Sequence, residues 1–381
     1  MSPSWKIAVL VDPLTAVVGD SAHPLGLASQ LAERGHSVRL FGPALSALGF
    51  DAPRTPEGKA LEVGASVALF RPDVVVAYDA LSPAAWLGAR SARRSSAPLV
   101  LVEAGAWGGG RPAQRMLWRV GETLWGRYVR RTATCVLALE PQALERSLRR
   151  GFSAEQLRSV SHGVDLEVHR PGRASEELAR RRIAGRVLSA RTDYSSPTRI
   201  EALIEGFAAT VGQRDDWSLV VASNSPAPAR VAKCAYRAGV GARTHFLSMN
   251  EEGFAPLLSS STLFAAVGES GARSAWDVER ALACGAPTLV VSGARGAHLV
   301  EHDVRGWTLD RSDARGWAQA LAHAASAPQA RRRWSRAARQ FAQERLGWAV
   351  VVRALEGAAQ TWLDELGERR EESTSRRAAS A

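Results

Sequence analysis

The sequence predicts a chain of two doubly wound α/β domains, the class in which helices cover both faces of a parallel sheet. Short runs of valine and leucine alternate with segments of helical periodicity, and most of these runs end near Gly, Pro or Asp. The alternation restarts in the second half of the chain. With 381 residues, 46% of them hydrophobic, the chain is long enough to bury two cores.

The first domain is predicted over residues 1–170. Between its first two strands lies a segment whose apolar residues recur at helical spacing, and Gly35 follows its last turn, as at many helix C-termini. The predicted strands lie in KIAVLVDP, SVRLFGP, DVVVAYD, APLVLVEAG and TCVLALE.

The second domain is predicted over residues 171–345, after a linker near HRPGRASEELARR that contains a proline, a glycine and then charged residues. Residues 346–366 have the pattern of a long amphipathic helix that crosses back to the first domain. Residues 367–381, charged and small, are predicted to be disordered. The strands of this domain lie in RVLSA, WSLVVAS, THFLS, TLFAAVG and PTLVVSG.

Composition excludes several classes of function. The formal charge of +11 is carried mostly by dispersed arginines and no nucleic-acid reader motif is present, so nucleic acid is not an expected partner. Cys135, Cys234 and Cys284 lack metal-site or disulfide spacing and are expected to be buried small side chains. No signal pattern and no long apolar run are seen, which predicts a cytoplasmic protein.

Taken in order, the motifs resemble those of the two-domain glycosyltransferases of the GT-B fold, specifically the retaining group 1, or family 4, type. The resemblance implies two Rossmann-like domains that face each other across a cleft. It also implies transfer of a sugar from a UDP- or GDP-linked donor to a hydroxyl of a polysaccharide, glycolipid or lipid-linked glycan, with no cofactor and no metal. The matching stretches are LAERGHSV at 31 to 38, RPDVVVAYD at 71 to 79, SHGVDLEVHRP at 161 to 171, SARTDY with Arg191, ALACGAP at 281 to 287 and LGW at 346 to 348.

The resemblance places the donor's diphosphate on arginines of the second domain, because guanidinium groups neutralise the charge that builds on the leaving group. Arg191 ends the first strand of this domain. The family's lysine is missing, and Arg199 lies beside its place. Backbone at Gly19 and Gly271 is expected to approach the donor phosphates.

The family's two acids are displaced in this sequence. Counted back from Gly285 in ALACGAP, the two acids should stand at residues 272 and 280. These positions hold Ala272 and Arg280, so both acids are missing in that register. Counted forward from ESGAR, Glu269 is the first acid and Asp277 the second. We predict that Glu269 is catalytic and that Glu279 or Asp277 binds the ribose.

The acceptor side departs from the family too. The family's histidine after the fourth strand is absent. Glu103, at the end of that strand, is predicted to orient a sugar hydroxyl or to activate the acceptor, and a strand-end residue in a surface loop is the structural alternative. His162 lies in a segment interpreted as a structural corner between the domains. Because of these departures, a catalytically silent relative that binds a partner protein or a carbohydrate remains the alternative.

Residues 111–131 have a helical pattern of apolar residues flanked by arginines, with Trp118 and Trp125 beside them. Such a helix is typical of peripheral contact with an anionic membrane. A helix packed on its own sheet, with its arginines in solvent, is the structural alternative.

Overall fold

The computed structural model describes residues 4–11, 22–42, 60–104, 116, 119–267 and 272–379. The chain divides into two compact units. Unit 1 consists of residues 1–163 and 348–381, and unit 2 of residues 164–347. Each unit contains one six-stranded parallel sheet with helices around it, so the predicted α/β class is confirmed.

Unit 1 is built on a sheet of order β2-β1-β3-β4-β5-β6, in which all neighbours are parallel. Its strands are β1 (Lys6–Leu10), β2 (Ser37–Phe41), β3 (Val74–Tyr78), β4 (Leu99–Glu103), β5 (Ala133–Ala138) and β6 (Leu157–Ser159). Its helices before the crossing to unit 2 are α1 (Ala22–Glu33), α2 (Ala60–Phe70), α3 (Pro83–Ser95), α4 (Arg127–Thr132) and α5 (Pro141–Arg149), and a π-helical turn (Glu122–Gly126) precedes α4.

Every residue of β3 and β4 is buried, because the two faces of the sheet pack against different apolar clusters. Burial on both faces explains why these strands are continuous runs of valine and leucine without polar alternation. Side chains at Val74 and Val76 point to one cluster, and Val75 and Ala77 point to the other. The parallel sheet predicted from these runs therefore forms the centre of unit 1.

Unit 2 is built on a sheet of order β12-β11-β10-β7-β8-β9, also parallel throughout. Its strands are β7 (Arg186–Arg191), β8 (Trp217–Ser223), β9 (Thr244–Ser248), β10 (Leu263–Ala266), β11 (Thr288–Val291) and β12 (Gly306–Leu309). Its helices are α6 (Glu176–Arg180), α7 (Pro197–Ala208), α8 (Ala229–Arg237), α9 (Glu251–Ser259), α10 (Ala272–Ala283), α11 (Ala314–Ser326) and α12 (Pro328–Arg345).

The last helix, α13 (Trp348–Ala379), follows unit 2 in sequence but packs on unit 1. Trp348, Val351, Val352 and Leu355 are buried in the same cluster as β1 and β3. The helix continues to Ala379, through most of the segment for which the sequence predicts disorder. The Glu, Arg and Ala residues of this segment are good helix formers, and they prolong a helix that is already nucleated by packing.

The indole of Trp348 fills a space that two glycines leave open. A Cβ added at Gly26 or Gly163 would stand within 3.0 Å of this ring, and the His23 ring lies 5.1 Å from it between centroids. Gly163 also has a φ of +80°, which L side chains rarely adopt. Glycine is therefore required at residue 163 for two reasons, backbone conformation and contact with Trp348.

We expect Gly163→Ala to lower the free energy of unfolding of unit 1 by about 2–4 kcal/mol, measured by urea unfolding. Roughly 1 kcal/mol comes from the left-handed backbone, and about 1–3 kcal/mol from overpacking against Trp348. Gly35→Ala is the matched control, since Gly35 has a φ of +93° and nothing within 4 Å of the added Cβ. Equal losses in the two variants would contradict the proposed contact.

Candidate functional site

The strand order of unit 2 reverses between β7 and β10. The chain first runs from β7 through β8 to β9 on one side of β7, and then continues on the other side with β10. Open parallel sheets bind ligands at such a switch point, outside the carboxyl ends of the strands. Arg191 is the last residue of β7, so its side chain starts at this point.

Arg191 meets carboxylates from two helices. Its Nη2 pairs with Oε1 of Glu251, and its Nη1 lies 3.2 Å from Glu251 Oε2 and 3.3 Å from Asp277 Oδ1. Arg280 joins the same group, with Nη1 at 2.6 Å from Glu251 Oε2 and at 3.6 Å from Asp277 Oδ1. One carboxylate oxygen, Glu251 Oε2, is thus shared by two guanidinium groups.

Local structure fixes each member of this group, which we call the arginine–carboxylate cluster (Arg191, Glu251, Asp277 and Arg280). Helix α9 begins at Glu251, because the Asn250 side chain caps it by accepting a hydrogen bond from Gly253 N at 3.1 Å. Asp277 and Arg280 lie three residues apart on α10 and therefore share one helix face.

Aromatic rings support both guanidinium groups. Arg191 lies over the Phe254 ring with its Cζ 4.5 Å from the centroid, and Arg280 lies over the Trp276 ring at 3.8 Å. Both arginines are buried, and Nε of Arg280 has no hydrogen-bond partner within the described part of the chain. The rings hold the two planar groups in place by cation–π contact, which engages the faces of the guanidinium groups and not their N–H donors.

A histidine beside the cluster stays neutral. Burial lowers the pKa of His169 to about 4, and the charge of Arg280 contributes to the shift. Arg339 binds the carbonyl oxygens of His169 and Ala283 with Nη1, both at 2.9 Å, and so ties this segment to the end of α10. Above about pH 4 the neutral imidazole adds no positive charge next to the guanidinium groups.

The predicted donor-site residues do not all join the cluster. Arg191 and Asp277 are brought together, whereas Arg199 is exposed on the first turn of α7. Glu279 is buried on α10, next to Arg280 in sequence but about 100° around the helix. Asp277 faces the guanidinium groups of Arg191 and Arg280, and the ribose contact predicted for Glu279 or Asp277 stays a prediction. Glu269, Gly19 and Gly271 lie outside the described residues.

Glu103 contacts backbone in the structure, and its predicted role towards the acceptor stays a prediction. Its side chain is fully buried at the end of β4, and Oε1 accepts a hydrogen bond from Ala80 N at 2.8 Å. Arg150 Nη1 lies 3.8 Å from Oε2. Burial raises the pKa of Glu103, and Arg150 opposes the shift. The carboxyl group therefore holds the backbone that follows β3 and is shielded from solvent.

Other buried polar groups lie near the carboxyl edge of the sheet of unit 1. His23 Nδ1 is 2.8 Å from the Tyr78 hydroxyl, and His162 Nε2 is 3.5 Å from Glu140 Oε1. Burial lowers the pKa of His23 to about 3, with a further contribution from His162. The interpretation of the segment around His162 as a structural corner agrees with this burial.

Sequence reasoning missed Glu251 and assigned Arg280 only as the place of a lost acid. Glu251 lies 60 residues from Arg191 in the chain, and its own signal is an Asn followed by two Glu at a helix start, which is typical of any helix N-terminus. At Arg280 the sequence does give a signal, because a positive residue stands where the family has an acid. The partner of Arg280, Glu251, could not be identified from one sequence.

The helical stretch before β5 carries two sets of exposed side chains, an apolar stripe and an arginine stripe. Met116, Val120 and Leu124 are 69%, 40% and 70% exposed at four-residue intervals. Arg119, Arg127 and Arg131, also spaced by multiples of four residues, are exposed on the same stretch. Trp125 and Tyr128, in contrast, pack against the core, so the sequence-based expectation that Trp125 faces an interface differs from the structure.

Within the described residues, no helix has the length and apolar character needed to cross a bilayer.

Two Rossmann-like sheets, with arginines gathered at the switch point of the second, are typical of the two-domain α/β proteins that bind phosphorylated ligands. Residues 19–163 match the model of the glycosyl transferase 4-like domain, and residues 195–341 match that of the glycosyl transferases group 1. One match falls in each unit, and together they cover most of the chain. The chain belongs to the group 1 glycosyltransferases of GT-B fold, which transfer a sugar from a nucleotide-sugar donor, and the predicted family is confirmed.

Solved structures show the same fold. A glycosyltransferase from Rickettsia africae is 12% identical with a TM-score of 0.76, and the match covers 94% of this chain and 99% of that one. HepE from Anabaena, in complex with UDP and glucose, is 16% identical with a TM-score of 0.65 over 94% and 100% of the two chains. Sucrose-phosphate synthase from Thermosynechococcus elongatus is 16% identical with a TM-score of 0.65 over 97% and 99%. No curated protein sequence matches the chain.

We expect the stability of unit 1 to depend on pH through His23. The unfolded state binds a proton near pH 6.5, whereas the folded state does so only near 3. The free energy of unfolding should therefore fall as the pH drops from about 6.5 towards 3, by at most about 1.4 kcal/mol per pH unit.

His23→Gln removes this titration and retains a side chain able to bond to Tyr78. Urea unfolding at pH 7, 6, 5 and 4 should show a shallower loss of stability in the variant than in the wild type. Parallel curves for the two proteins would contradict the assignment.

Proposed function

We propose that unit 2 binds a UDP- or GDP-linked sugar at the switch point between β7 and β10. The sugar is transferred with retention of anomeric configuration, without a metal ion, to a hydroxyl of a polysaccharide, glycolipid or lipid-linked glycan. The observation that carries this proposal is the position of Arg191 at the carboxyl end of β7, buried and oriented by Glu251, Asp277 and Phe254.

The chemistry of the leaving group supports the role of Arg191. When the glycosidic bond breaks, negative charge builds on the nucleoside diphosphate, and a planar guanidinium binds phosphate oxygens in a bidentate way. A preorganised cation in a site that excludes water stabilises this charge more strongly than the same cation in solvent. HepE was solved with UDP and glucose, which supports UDP as the first donor nucleotide to test.

The remaining donor contacts stay proposals. Glu269 is the acid assigned to the transferred sugar, and Glu279 is assigned to the ribose because Asp277 already binds the two arginines. Gly19 and Gly271 are assigned to backbone contacts with the donor phosphates. Arg199, on the exposed first turn of α7, is assigned to the same phosphates.

We expect Arg191→Ala to lower kcat/KM for the donor about 100- to 1,000-fold, the usual cost of removing one preorganised donor to a developing negative charge. The measurement is release of nucleoside diphosphate from UDP-glucose, or from the donor in a UDP and GDP panel that the wild type turns over best. The same assay in EDTA tests metal independence, and the NMR signal of the product's anomeric proton tests retention.

Arg230→Ala is the matched control for Arg191→Ala. Arg230 lies in the same unit and forms a bidentate ion pair with Glu201 between α7 and α8, but its side chain is 58% exposed. Activity of this variant should remain within about twofold of the wild type, because exposed ion pairs contribute little. Equal activities of the Arg191 and Arg230 variants would contradict the proposed donor site.

We further propose that the enzyme works in the cytoplasm, at a membrane surface that presents its acceptor. The three cysteines are free thiols, which fits a reducing compartment. The apolar stripe (Met116, Val120 and Leu124) and the arginine stripe (Arg119, Arg127 and Arg131) lie on one helical stretch, and exposed apolar and basic side chains together are what a helix uses to bind anionic lipid.

We expect Leu124→Glu to weaken binding to vesicles that contain anionic phosphatidylglycerol about tenfold or more. One buried leucine contributes about 1.5–3 kcal/mol, and the new charge repels the lipid. Co-sedimentation with vesicles measures the effect. Leu69→Glu is the control, because Leu69 is 85% exposed on α2, away from the two stripes in sequence. If both variants bind as the wild type does, this stripe is not the membrane contact.

A further inference from the structure

We propose that Arg280 binds the donor's diphosphate together with Arg191, and that the Glu251 carboxylate occupies the position of a phosphate when no donor is bound. This inference rests on the proposed donor site and names two residues that determine its affinity. It follows from the geometry and exposure of the arginine–carboxylate cluster.

Both guanidinium groups already converge on a single anionic oxygen. Glu251 Oε2 lies 3.2 Å from Arg191 Nη1 and 2.6 Å from Arg280 Nη1. Carboxylate and phosphate oxygens are bound by guanidinium groups in the same bidentate geometry. A phosphate oxygen placed where Glu251 Oε2 lies would therefore be contacted by Arg191 and Arg280 together.

Exposure shows which member of the cluster can leave. The side chain of Glu251 is 40% exposed, whereas those of Arg191, Arg280 and Asp277 are 5%, 6% and 8% exposed. An anion that enters from solvent therefore meets Glu251 first, and it reaches the guanidinium groups only if this carboxylate swings aside. Asp277 is enclosed and remains as the fixed counterion.

The charge balance favours such an exchange. Within the cluster, two guanidinium charges face two carboxylates, and when Glu251 turns out to solvent the cluster gains one net positive charge. Burial makes an uncompensated charge costly, so a replacement anion is strongly favoured. Arg280 also has a donor to offer, because its buried Nε lacks a hydrogen-bond partner among the described residues.

The test is calorimetric titration of UDP and GDP into the full-length chain and its variants. Arg280→Ala should weaken binding of the preferred nucleoside diphosphate about tenfold or more, and Arg280→Lys should recover part of the loss. Glu251→Gln should tighten binding about threefold or more, because the competing carboxylate charge is gone. Damage to the fold weakens binding, so a gain in affinity cannot come from that source.

Glu252→Gln is the matched control, since Glu252 is the next residue on α9 and is exposed. It should bind as the wild type does, and Glu251→Gln combined with Arg280→Ala should lose the gain. The inference is overturned if Arg280→Ala binds with wild-type affinity, or if Glu251→Gln binds no more tightly than Glu252→Gln. Failure of the wild type to bind either nucleotide would instead overturn the donor site as a whole.

Discussion

The contact between one carboxylate and two buried arginines is the constraint on which the site of unit 2 depends. Two guanidinium groups cannot stay buried side by side without an anion between them, because desolvation and mutual repulsion both oppose it. Glu251 and Asp277 supply that anion in the structure. The aromatic rings of Phe254 and Trp276 fix the planes of the arginines, so their charge is directed at one place.

Topology brings these residues together from distant parts of the chain. Arg191 ends β7, Glu251 starts the helix between β9 and β10, and Asp277 and Arg280 belong to the helix after β10. Because β9 lies at the sheet edge beyond β8 and β10 lies on the other side of β7, the connection through α9 must return across the switch point. The reversal of strand order thus delivers a helix N-terminus and its carboxylate to the end of β7.

The sequence predicted what local patterns determine. Runs such as VVVAY and LVLVE have no polar alternation, and both proved to be strands buried on two faces. The position of Arg191 followed from the end of such a run. Glu251 was not predictable, because its partner lies 60 residues away and its local pattern is that of an ordinary helix start. The burial of Glu103 was not predictable for a similar reason. A strand-end carboxylate is exposed or enclosed according to the residues that pack on it, and Arg150, whose Nη1 lies 3.8 Å from Glu103 Oε2, belongs to a distant part of the chain.

A buried ion pair becomes a ligand site only when one of its ions can leave, and the two units differ in this respect. In unit 1 the carboxylate of Glu103 is 1% exposed, while its cation Arg150 is 19% exposed. An incoming anion finds no free cation there, because the enclosed member of the pair is the carboxylate of Glu103, which also accepts a hydrogen bond from Ala80 N. In unit 2 the cations are enclosed and the carboxylate of Glu251 faces solvent. That arrangement would let a phosphate replace a side chain without leaving a buried charge unpaired, which is the physical reason for assigning the donor to unit 2 in the proposal.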